Sequence, residues 1–467
     1  MRPPELWRQT GETEAGVVLD LSKIVKAYDI RGVVPDELDA EVAGAVGAAF
    51  AIFTKAPRIV IAHDMRESSI PLSQAVAEGA ASQGTDVVMA GLASTDMIYF
   101  AAGSLDIPGV MLTASHNPAK YNGIKLCLAG ARPVGQETGL AEIRALIENG
   151  IPAYSGAPGT ITTHELVEDY AVFLRHLVDL SGIRPLKVVV DAGNGMGGYT
   201  VPIVLKDLPL DIVPMYFELD GNFPNHEANP IDAKNTADLQ AKVLETQSDI
   251  GLAFDGDADR CFVIDERGQI VSPSVITALV AVRELRKSPG SAIIHNLITS
   301  KAVAEIVREH GGVPVRSRVG HSFIKATMGE TNAVFGGEHS GHFYFRDFWR
   351  ADSGMLAALH VLAALGETAP GTKLSELLAE YSRYVASGEI NSTVHDQAAV
   401  SAKVRAAYID TPGATIDDLD GMTVTTPTWW FNLRASNTEP LLRLNVEADD
   451  QATLDRVRDE VLALIRG

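Results

Sequence analysis

Residues 113–118 (TASHNP) combine a nucleophilic hydroxyl, Ser115, with an imidazole, His116, directly after the apolar run 110–112. The apolar run predicts a buried strand, and Pro118 disfavours helical backbone at the residue before it, so the strand should end in a loop. Open α/β sheets place their chemistry on such loops, at the carboxyl ends of strands. Asn122-Gly123 indicates a tight hairpin turn, which would bring Lys125 back beside the serine. An isolated Ser-His-Asn-Pro is nevertheless most often an ordinary turn.

Asp255, Asp257 and Asp259 alternate directly after a predicted buried strand, 249–254. Three carboxylates this close repel one another unless a positive group lies between them, and all-oxygen ligation suits Mg²⁺. A calcium EF-hand loop starts with the same spacing, but its sixth position requires glycine and is Arg260 here. The pattern therefore favours a magnesium site, with a solvated acidic turn as the alternative.

Residues 193–198 (GNGMGG) match the G-x-G-x-x-G spacing of a dinucleotide-binding turn and follow a predicted strand. The next six residues contain Pro202 and are mostly β-branched, which makes a poor first turn for a long phosphate-binding helix. We therefore predict a structural tight turn and no nucleotide cofactor.

Residues 337–342 (GEHSGH) are too polar and rich in glycine to form a core element. Glu338 and Ser340 could bind the hydroxyls of a polyol, because a carboxylate accepts hydrogen bonds and a hydroxyl both donates and accepts them. The two histidines of this loop lack a third ligand, so a zinc site is not expected.

Residues 434–440 (RASNTEP) place a guanidinium, Arg434, next to Ser436, Asn437 and Thr438. Arginine makes a two-pronged charged contact with a phosphate dianion, and the three neighbours supply further hydrogen-bond donors. Considered alone, however, the loop is better interpreted as an ordinary polar turn.

Apolar strands alternate with helical segments through most of the chain, which predicts α/β architecture with mostly parallel sheets. The alternation begins three times, near residues 24, 186 and 292, and each repeat ends in a polar loop. The tail differs, with strands predicted near 429–433 and 441–446 before an amphipathic helix at 452–466. We therefore predict three similar mixed-sheet α/β domains, 1–160, 161–268 and 269–382, and a smaller C-terminal α+β domain, 383–467.

The composition is that of an ordinary globular protein, with 21% charged and 46% apolar residues among 467. A net charge of −21 argues against nonspecific nucleic-acid binding, which needs a basic surface. The longest apolar run, 42–53, is too short to span a bilayer, and residues 1–20 show no secretory signal. We therefore expect a cytoplasmic protein without a membrane or nucleic-acid partner, in which Cys127 and Cys261 are buried free thiols.

Taken together, in this order and near these spacings, the four polar loops resemble those of the α-D-phosphohexomutases. The chain looks like the bacterial phosphomannomutase/phosphoglucomutase branch, from residues 28–32 (YDIRG) to the last predicted strands. The resemblance implies four domains around a central cleft, three of them alike in fold. It also implies a second domain whose Gly-rich turn binds no nucleotide.

The resemblance implies a role for each polar loop. Ser115 would be carried as phosphoserine, and Mg²⁺ would bind an oxygen of that phosphate and the three aspartates, Asp255, Asp257 and Asp259. The residues that would surround the transferring phosphate or move the hydroxyl proton are Arg31, His116, Lys125, Arg260 and His342. The residues that would bind the sugar phosphate are Tyr28, His321, Lys325, Glu338, Ser340, Arg434, Ser436, Asn437 and Thr438.

The implied reaction is the reversible interconversion of hexose 1-phosphate and hexose 6-phosphate, with mannose, glucose or both as the sugar. It would pass through a 1,6-bisphosphate that turns end over end in the site, and a hexose 1,6-bisphosphate would serve as activator. Position 339 is His where many bacterial members have Met, which leaves the sugar preference open. The alternatives are a phosphoglucosamine mutase, which Asn437 disfavours, and a noncatalytic sugar-phosphate-binding regulator, which the intact Ser115 disfavours.

Overall fold

The computed structural model describes residues 21–436 and 440–467. Their strands form four sheets, one of seven strands and three of five, and the sheets follow one another along the chain. We refer to the segments that build these sheets as the first, second, third and fourth units. Alternating strands and helices in the first three units confirm the predicted α/β class.

The first unit contains a mixed sheet with the strand order β1-β5-β4-β2-β3-β7, and β6 pairs with β5. Its strands are β1 (Ile30–Val33), β2 (Arg58–His63), β3 (Asp86–Leu92), β4 (Gly109–Leu112), β5 (Tyr121–Leu128), β6 (Arg132–Pro133) and β7 (Ile161–Thr163). Its helices are α1 (Ala40–Thr54), α2 (Ser69–Ser82), α3 (Thr95–Ser104) and α4 (Leu140–Glu148). Because β7 pairs with β3, the first sheet extends three residues past the predicted boundary at residue 160.

The second and third units repeat this arrangement with the strand orders β12-β11-β10-β8-β9 and β14-β13-β15-β16-β17. The second unit consists of α5 (Val167–Leu177), β8 (Leu186–Asp191), α6 (Gly197–Val204), β9 (Leu210–Met215), α7 (Ala237–Thr246), β10 (Ile250–Phe254), β11 (Cys261–Asp265) and β12 (Ile270–Val271). The third consists of α8 (Pro273–Lys287), β13 (Ala292–Asn296), α9 (Lys301–Glu309), β14 (Val313–Ser317), α10 (His321–Thr331), β15 (Phe335–Gly337), β16 (Phe343–Phe345), β17 (Ala351–Asp352), α11 (Gly354–Gly366) and α12 (Leu374–Leu378).

One feature recurs at the same place in these three sheets. A buried strand that runs parallel to one neighbour turns back antiparallel into the next strand, as β4 into β5, β10 into β11 and β15 into β16. The connections at these reversals are residues 113–120, 255–260 and 338–342. We call residues 113–120 the serine loop and residues 255–260 the aspartate loop. The repeat thus places these two loops and the 338–342 loop at equivalent positions of three related sheets.

The fourth unit has a different, fully antiparallel sheet with the order β18-β22-β21-β20-β19. Its elements are β18 (Val385–Thr393), α13 (Gln397–Tyr408), β19 (Thr415–Asp417), β20 (Met422–Thr425), β21 (Trp429–Ala435), β22 (Leu441–Ala448) and α14 (Gln451–Arg466). An apolar cluster of its own, which includes Phe431, Leu444 and Val457, lies between the sheet and the two helices. The predicted α+β tail is therefore confirmed.

The hairpin turn predicted at Asn122-Gly123 is wrong, because both residues lie within β5. The Asn122 side chain is buried and donates to the hydroxyls of Ser68 and Ser69 at 2.8 and 2.9 Å. A side chain at Gly123 would come within 2.6 Å of the Ile30 carbonyl oxygen, so the glycine permits close strand approach rather than a turn. The reversal occurs earlier, at 113–120, and β5 still returns Lys125 antiparallel to β4.

The Gly-rich segment at 193–198 forms a tight turn followed by a short helix, α6. Gly193 and Asn194 have positive φ angles of 51° and 58°, and α6 spans eight residues with Pro202 inside it. The turn packs against the aspartate loop, since the Met196 N–H donates to the Gly256 carbonyl at 2.9 Å. A side chain at Gly195 would come within 2.6 Å of the same oxygen, so this turn supports the aspartate loop directly.

Cys127 and Cys261 are buried free thiols, as predicted. Burial raises the pKa of the Cys127 thiol to about 12, and it also raises the pKa of Cys261. Over the described ranges, each helix is too short or too polar to cross a bilayer.

Candidate active site

Ser115 presents its hydroxyl to the second unit from a strained backbone position. Its φ angle is +50°, a left-handed backbone conformation that residues other than glycine seldom adopt. The Thr113 hydroxyl fixes this geometry by accepting the Ser115 N–H at 2.9 Å. The Ser115 hydroxyl donates to Asp255 Oδ2 at 2.8 Å and lies 3.2 Å from Nδ1 of His116. The serine loop and the aspartate loop are thereby joined at the Ser115 hydroxyl.

Arg66 holds the serine loop in place, and the sequence did not predict this role. Each of its five N–H groups has an acceptor: Nε donates to Asp64 Oδ2, and the remaining four donate to loop carbonyls. Those carbonyls belong to Ser115, Asn117, Pro118 and Tyr121, at 2.7–3.0 Å. Arg66 is only 2% exposed. The available signal was a charged pair, Asp64-x-Arg66, directly after a buried strand.

Asp255, Asp257 and Asp259 converge at the end of β10, with side-chain oxygens within 4.8 Å of one another. All three are at most 1% exposed. Lys125 Nζ bridges two of them, at 2.7 Å from Asp257 Oδ2 and 2.7 Å from Asp259 Oδ2. Arg260 pairs with Asp255, its Nε lying 2.9 Å from Oδ2. The two basic side chains thus offset part of the repulsion among three buried carboxylates.

The pKa directions of these carboxylates follow from burial and from their basic partners. Burial raises the pKa of Asp255, and the nearby Arg260 guanidinium offsets this only in part. Burial also acts to raise the pKa of Asp257, but Lys125 outweighs it, so the pKa of Asp257 is lowered. The Asp257 carboxyl group is therefore ionised at neutral pH.

The aspartate loop fits a hard divalent cation. Oδ1 of Asp257 and Oδ1 of Asp259 are both buried and make no hydrogen bond to any described residue. A buried carboxylate oxygen without a partner is costly, and a cation with oxygen ligands would satisfy both. An all-oxygen donor set suits Mg²⁺.

A cavity of about 310 Å³ lies over the serine loop and is lined by side chains of the first three units. Its wall contains Ser115 and four cationic side chains, namely Lys26, Arg31, Lys125 and Arg260. Arg31 is oriented by Asn117 of the serine loop, to whose Oδ1 its Nη1 donates at 2.7 Å. The predicted site residues that the cavity brings together are Tyr28, Arg31, Ser115, His116, Lys125, Asp259, Arg260, His321 and His342. The arrangement suits a phosphorylated ligand.

The pKa values of the three histidines of this cavity are shifted in different directions. Burial, reinforced by neighbouring cations, lowers the pKa of His116 to about 2 and that of His321 to about 3. Burial also acts to lower the pKa of His342, but Asp259 and Asp352 outweigh it and raise the pKa. His342 is therefore the imidazole of this cavity best suited to hold a proton.

Three further predicted residues lie behind or beside the cavity wall. Lys325 Nζ pairs with Asp352 Oδ1 at 2.8 Å, and both side chains are buried. Glu338 is 2% exposed and accepts from the Gly320 N–H at 3.1 Å and the Tyr344 hydroxyl at 2.6 Å. Glu338 thus supports the start of α10 from within the protein. Ser340 is partly exposed and does not line the cavity.

The predicted phosphate loop of the fourth unit does not line this cavity within the described residues. Arg434 instead pairs with Glu389 of its own unit, with Nη2 3.0 Å from Oε2. The Ser436 N–H donates to the Leu441 carbonyl at 2.8 Å. Asn437 and Thr438 lie outside the described residues. The structure therefore groups most of the predicted residues of the first three units in or next to the cavity, and the described residues of the fourth-unit loop lie apart from it.

The chain matches four domain families, all described as phosphoglucomutase/phosphomannomutase. Alpha/beta/alpha domains I, II and III match residues 22–153, 168–268 and 272–384, and the C-terminal domain matches residues 389–464. The matches appear in chain order and cover most of the sequence.

Individual proteins show the same similarity. A protein named phosphomannomutase from Escherichia coli is 40% identical over 452 residues, which cover 94% of this chain and 98% of that protein. A protein named phosphohexose mutases from Xanthomonas campestris pv. campestris is 41% identical over 448 residues, which cover 95% and 99%. A solved phosphoglucomutase/phosphomannomutase family protein from Burkholderia thailandensis has a TM-score of 0.86 and 34% identity, with 95% and 97% of the two chains covered.

Proposed function

The chain belongs to the α-D-phosphohexomutase family, and on that basis we propose that Ser115 carries the phosphoryl group when it interconverts hexose 1-phosphate and hexose 6-phosphate. The protein is an enzyme of the phosphomannomutase/phosphoglucomutase type. One observation carries the assignment of Ser115: its hydroxyl lies 2.8 Å from Asp255, where the aspartate loop and the cationic cavity meet.

The surroundings of Ser115 suit phosphoryl transfer, in which catalysis consists mostly of positioning and charge neutralisation. Lys125, Arg260 and Arg31 line the cavity beside the hydroxyl and would surround the oxygens of a phosphate on Oγ. His116, with Nδ1 3.2 Å from Oγ, is neutral and can accept or donate one hydrogen bond there. Fixed protein groups would thus replace the water molecules that the phosphate loses when it enters the site.

Asp255, Asp257 and Asp259 would hold Mg²⁺ together with an oxygen of the Ser115 phosphate. The bound ion would neutralise charge on the transferred group. Lys125 already occupies one oxygen each of Asp257 and Asp259, so their two unpartnered Oδ1 atoms are the ones left to serve as ligands.

The substrate would react twice in the same site. The phosphoserine first gives its phosphoryl group to the sugar phosphate, and the resulting hexose 1,6-bisphosphate then turns and returns its other phosphate to Ser115. A hexose 1,6-bisphosphate added from outside would therefore act as activator, because it phosphorylates an enzyme that has lost its phosphate. His342 would take and return the hydroxyl proton.

The sugar and the phosphate that does not move would be bound farther from Ser115. Arg434 and its loop would grip that phosphate, since guanidinium and hydroxyl groups recognise a dianion from either end of the bisphosphate. The residues that we assign to these contacts are Tyr28, His321, Lys325, Glu338, Ser340, Arg434, Ser436, Asn437 and Thr438. We place the reaction in the cytoplasm, where the two free thiols would stay reduced.

The proposal is tested by a ³¹P NMR time course with Mg²⁺ and a trace of glucose 1,6-bisphosphate. Mannose 1-phosphate, glucose 1-phosphate and glucosamine 1-phosphate are offered in parallel. We expect mannose or glucose 1-phosphate to be converted to the 6-phosphate, and the ratio of rates gives the sugar preference. Mass spectrometry of the peptide that contains Ser115 should then show one phosphate on that residue.

Other outcomes would indicate a different function or mechanism. Conversion of glucosamine 1-phosphate alone would assign the chain to phosphoglucosamine mutase. A failure to convert any of the three substrates would leave a sugar-phosphate-binding protein. Turnover with the phosphate on a residue other than Ser115 would refute the mechanism while keeping the reaction.

A further inference from the structure

Asp352 ends the short strand β17, opposite Tyr344 of β16 in the antiparallel register. The chain reverses between these strands through Trp349 and Arg350, whose φ angles are 54° and 60°. His342 directly precedes β16, so this hairpin brings the Asp352 carboxylate to the imidazole, and both residues line the cavity. Asp352 is only 3% exposed, and therefore water does not compete for its oxygens.

The two oxygens of Asp352 have different partners. Oδ2 lies 3.0 Å from Nδ1 of His342, and Oδ1 lies 2.8 Å from Nζ of Lys325. Asp259 Oδ1 is farther from the same Nδ1, at 3.9 Å, so the hydrogen bond of Nδ1 is to Asp352. Lys325 is itself buried, with Nζ 4.1 Å from the centre of the Tyr99 ring. A carboxylate only accepts hydrogen bonds, so Nδ1 must carry the hydrogen of the neutral imidazole. This leaves the lone pair on Nε2 of a ring that lines the cavity beside Ser115.

We propose that Asp352 positions His342 for proton transfer by fixing the ring hydrogen on Nδ1 and leaving Nε2 as the base that faces the cavity. The inference rests on the proposed function, since it requires a sugar hydroxyl in that cavity. Asp352 is a positioning residue, because it contacts His342 and Lys325 rather than the reacting atoms. Asp352 also pairs with Lys325, which we assign to sugar-phosphate binding. One carboxylate therefore fixes the positions of both Lys325 and His342.

The proton that His342 takes up in the first half-reaction is returned in the second. In the first, the sugar hydroxyl oxygen bonds to phosphorus, and the bond between phosphorus and Ser115 Oγ breaks with its electron pair left on Oγ. The hydroxyl proton moves to Nε2 of His342, and the imidazolium is stabilised by Asp352. In the second, Oγ attacks the other phosphate, and Nε2 returns the proton to the departing sugar oxygen.

A purely structural role for Asp352 would be to neutralise the buried Lys325. The two roles use different oxygens, so they can be separated by removing the lysine charge. In the Lys325→Met background no ammonium remains to be neutralised, whereas His342 still needs its orientation. Asp352→Asn should therefore be compared in both backgrounds, as a double-mutant cycle.

We expect Asp352→Asn to lower kcat by about 100-fold, with KM changed less than about threefold, because orientation of the base matters in the transition state. The same substitution should lower kcat by a similar factor in the Lys325→Met background. Asp347→Asn is the matched control, since Asp347 lies in the same connection, is 54% exposed and pairs with Arg346. This control should keep the wild-type kcat.

The ring hydrogen can be observed without turnover. In protein labelled with ¹⁵N-histidine, long-range ¹H–¹⁵N spectra distinguish the Nδ1–H form from the Nε2–H form, and His342→Gln identifies the His342 signals. We expect the Nδ1–H form in the wild type. Asn at position 352 can donate as well as accept, so Asp352→Asn should shift His342 toward the Nε2–H form.

The outcomes separate this inference from the proposed function. An active wild type in which Asp352→Asn stays within threefold in kcat overturns the role of Asp352. So does recovery of kcat when Lys325→Met is added, which would reveal a simple ion pair. A wild type that converts no hexose phosphate refutes the proposed function, and the ring-hydrogen measurement still decides whether Asp352 orients His342. If Asp352→Asn does not fold, the double variant replaces it, because it contains no unpaired buried charge.

Discussion

The first three units are joined to one another by buried polar contacts. Asp96 of α3 is fully buried and accepts from the Tyr170 hydroxyl of the second unit and the Ser353 hydroxyl of the third, both at 2.6 Å. Thr95, the preceding residue, donates to Asp257 Oδ2 at 2.5 Å. A single turn at the start of α3 therefore connects three units within a few ångströms of the aspartate loop.

The fourth unit is attached in a different way. Its ion pairs with the third unit, Lys301–Asp449 at 2.8 Å and Arg316–Asp417 at 2.7 Å, involve side chains that are 22–43% exposed. Other contacts between these units are more shielded: Glu447, which is 3% exposed, accepts from the Lys301 N–H at 3.0 Å, and Asp420 accepts from the Val319 N–H at 3.1 Å. Exposed ion pairs contribute about 0–1 kcal/mol each, whereas hydrogen bonds in a low-dielectric interior orient groups strongly.

The difference shows where precision is required. The groups that we assign to bond making and breaking lie in the body built by the first three units, where each carboxylate has fixed partners. The groups that we assign to the phosphate that does not move lie on the unit whose ion pairs with the third unit are exposed to solvent. A substrate that must react at both ends needs an exact reaction centre and a grip that accepts either end.

The sharpest test of this contrast is Ser115→Ala. Without its nucleophile the enzyme should lose about 10⁴-fold or more in kcat, while isothermal titration should still detect sugar-phosphate binding. Ser82→Ala, an exposed serine of α2, is the control and should keep full activity. Turnover near the wild-type rate in Ser115→Ala would contradict the assignment of the reaction centre.

Arg66→Lys tests whether the serine loop depends on the guanidinium. Lysine has three donors where five are used, so at least two charge-assisted hydrogen bonds to buried carbonyls would be lost. We expect a loss of about 2–4 kcal/mol in the apparent free energy of unfolding, measured by urea titration, and a lower kcat. Arg267→Lys, at an arginine that is 64% exposed, should change neither quantity noticeably. Equal effects of the two substitutions would show that Arg66 does not hold the loop.

Asp96→Asn tests the buried contacts that Asp96 makes with the second and third units. The quantity that tests them is the pH dependence of the free energy of unfolding. Burial raises the pKa of Asp96 to about 6, against opposing hydrogen bonds from Ser353, Ser94 and Tyr170. A carboxyl with a raised folded-state pKa stabilises the fold most below its unfolded value of 3.8, and this contribution is lost as pH rises through about 6.

From pH 4 to pH 7 the wild type should therefore lose about 2–3 kcal/mol relative to Asp96→Asn. Urea titrations of both proteins at several pH values measure this difference. If the difference in free energy of unfolding between the two proteins does not change with pH, Asp96 does not titrate in this pH range in the folded protein.

Arg434→Met tests the grip of the fourth unit. Removal of a charged contact to the phosphate that does not move should raise KM by about 10–100-fold, and kcat should change much less. Steady-state kinetics with glucose 1-phosphate measure both. Arg443→Met, which removes the other arginine paired with Glu389, is the matched control. A fall in kcat with unchanged KM would move Arg434 to the reaction centre.

The smallest effect is expected for Arg316→Met at the exposed contact between the third and fourth units. The apparent free energy of unfolding should fall by less than about 1 kcal/mol, and the difference should shrink further in 1 M salt. A loss comparable to that of Arg66→Lys would show that the fourth unit is held as firmly as the other three.

Much of the fold could be predicted from local patterns. The β-strand at 58–63 and the helix at 301–309 follow from periodicity and end signals over a few residues. The turn at Asn122-Gly123 was wrong because dipeptide statistics do not include a neighbouring strand. That glycine is required by the approach of Ile30, a contact 93 residues away in the chain.

The candidate site was predictable where one loop carries several reactive side chains, as around Ser115 and Asp257. Arg66 and Asp352 were missed because neither lies in a loop that carries several reactive side chains. Asp352 contacts His342 only ten residues earlier, but no local pattern indicates that contact. The partners of Arg66 at 115–121 follow it by about 50 residues. Such residues become visible only when the fold shows which side chains they contact.

The two buried cysteines make the chain well suited to site-specific labelling. Neither thiol is accessible, and burial raises the pKa of both, so neither forms much thiolate at neutral pH. A cysteine introduced on an exposed position of the third unit and another on the fourth would therefore react with fluorophores on a silent background. Energy transfer between the two dyes could then follow the separation of these units as sugar phosphates bind and leave.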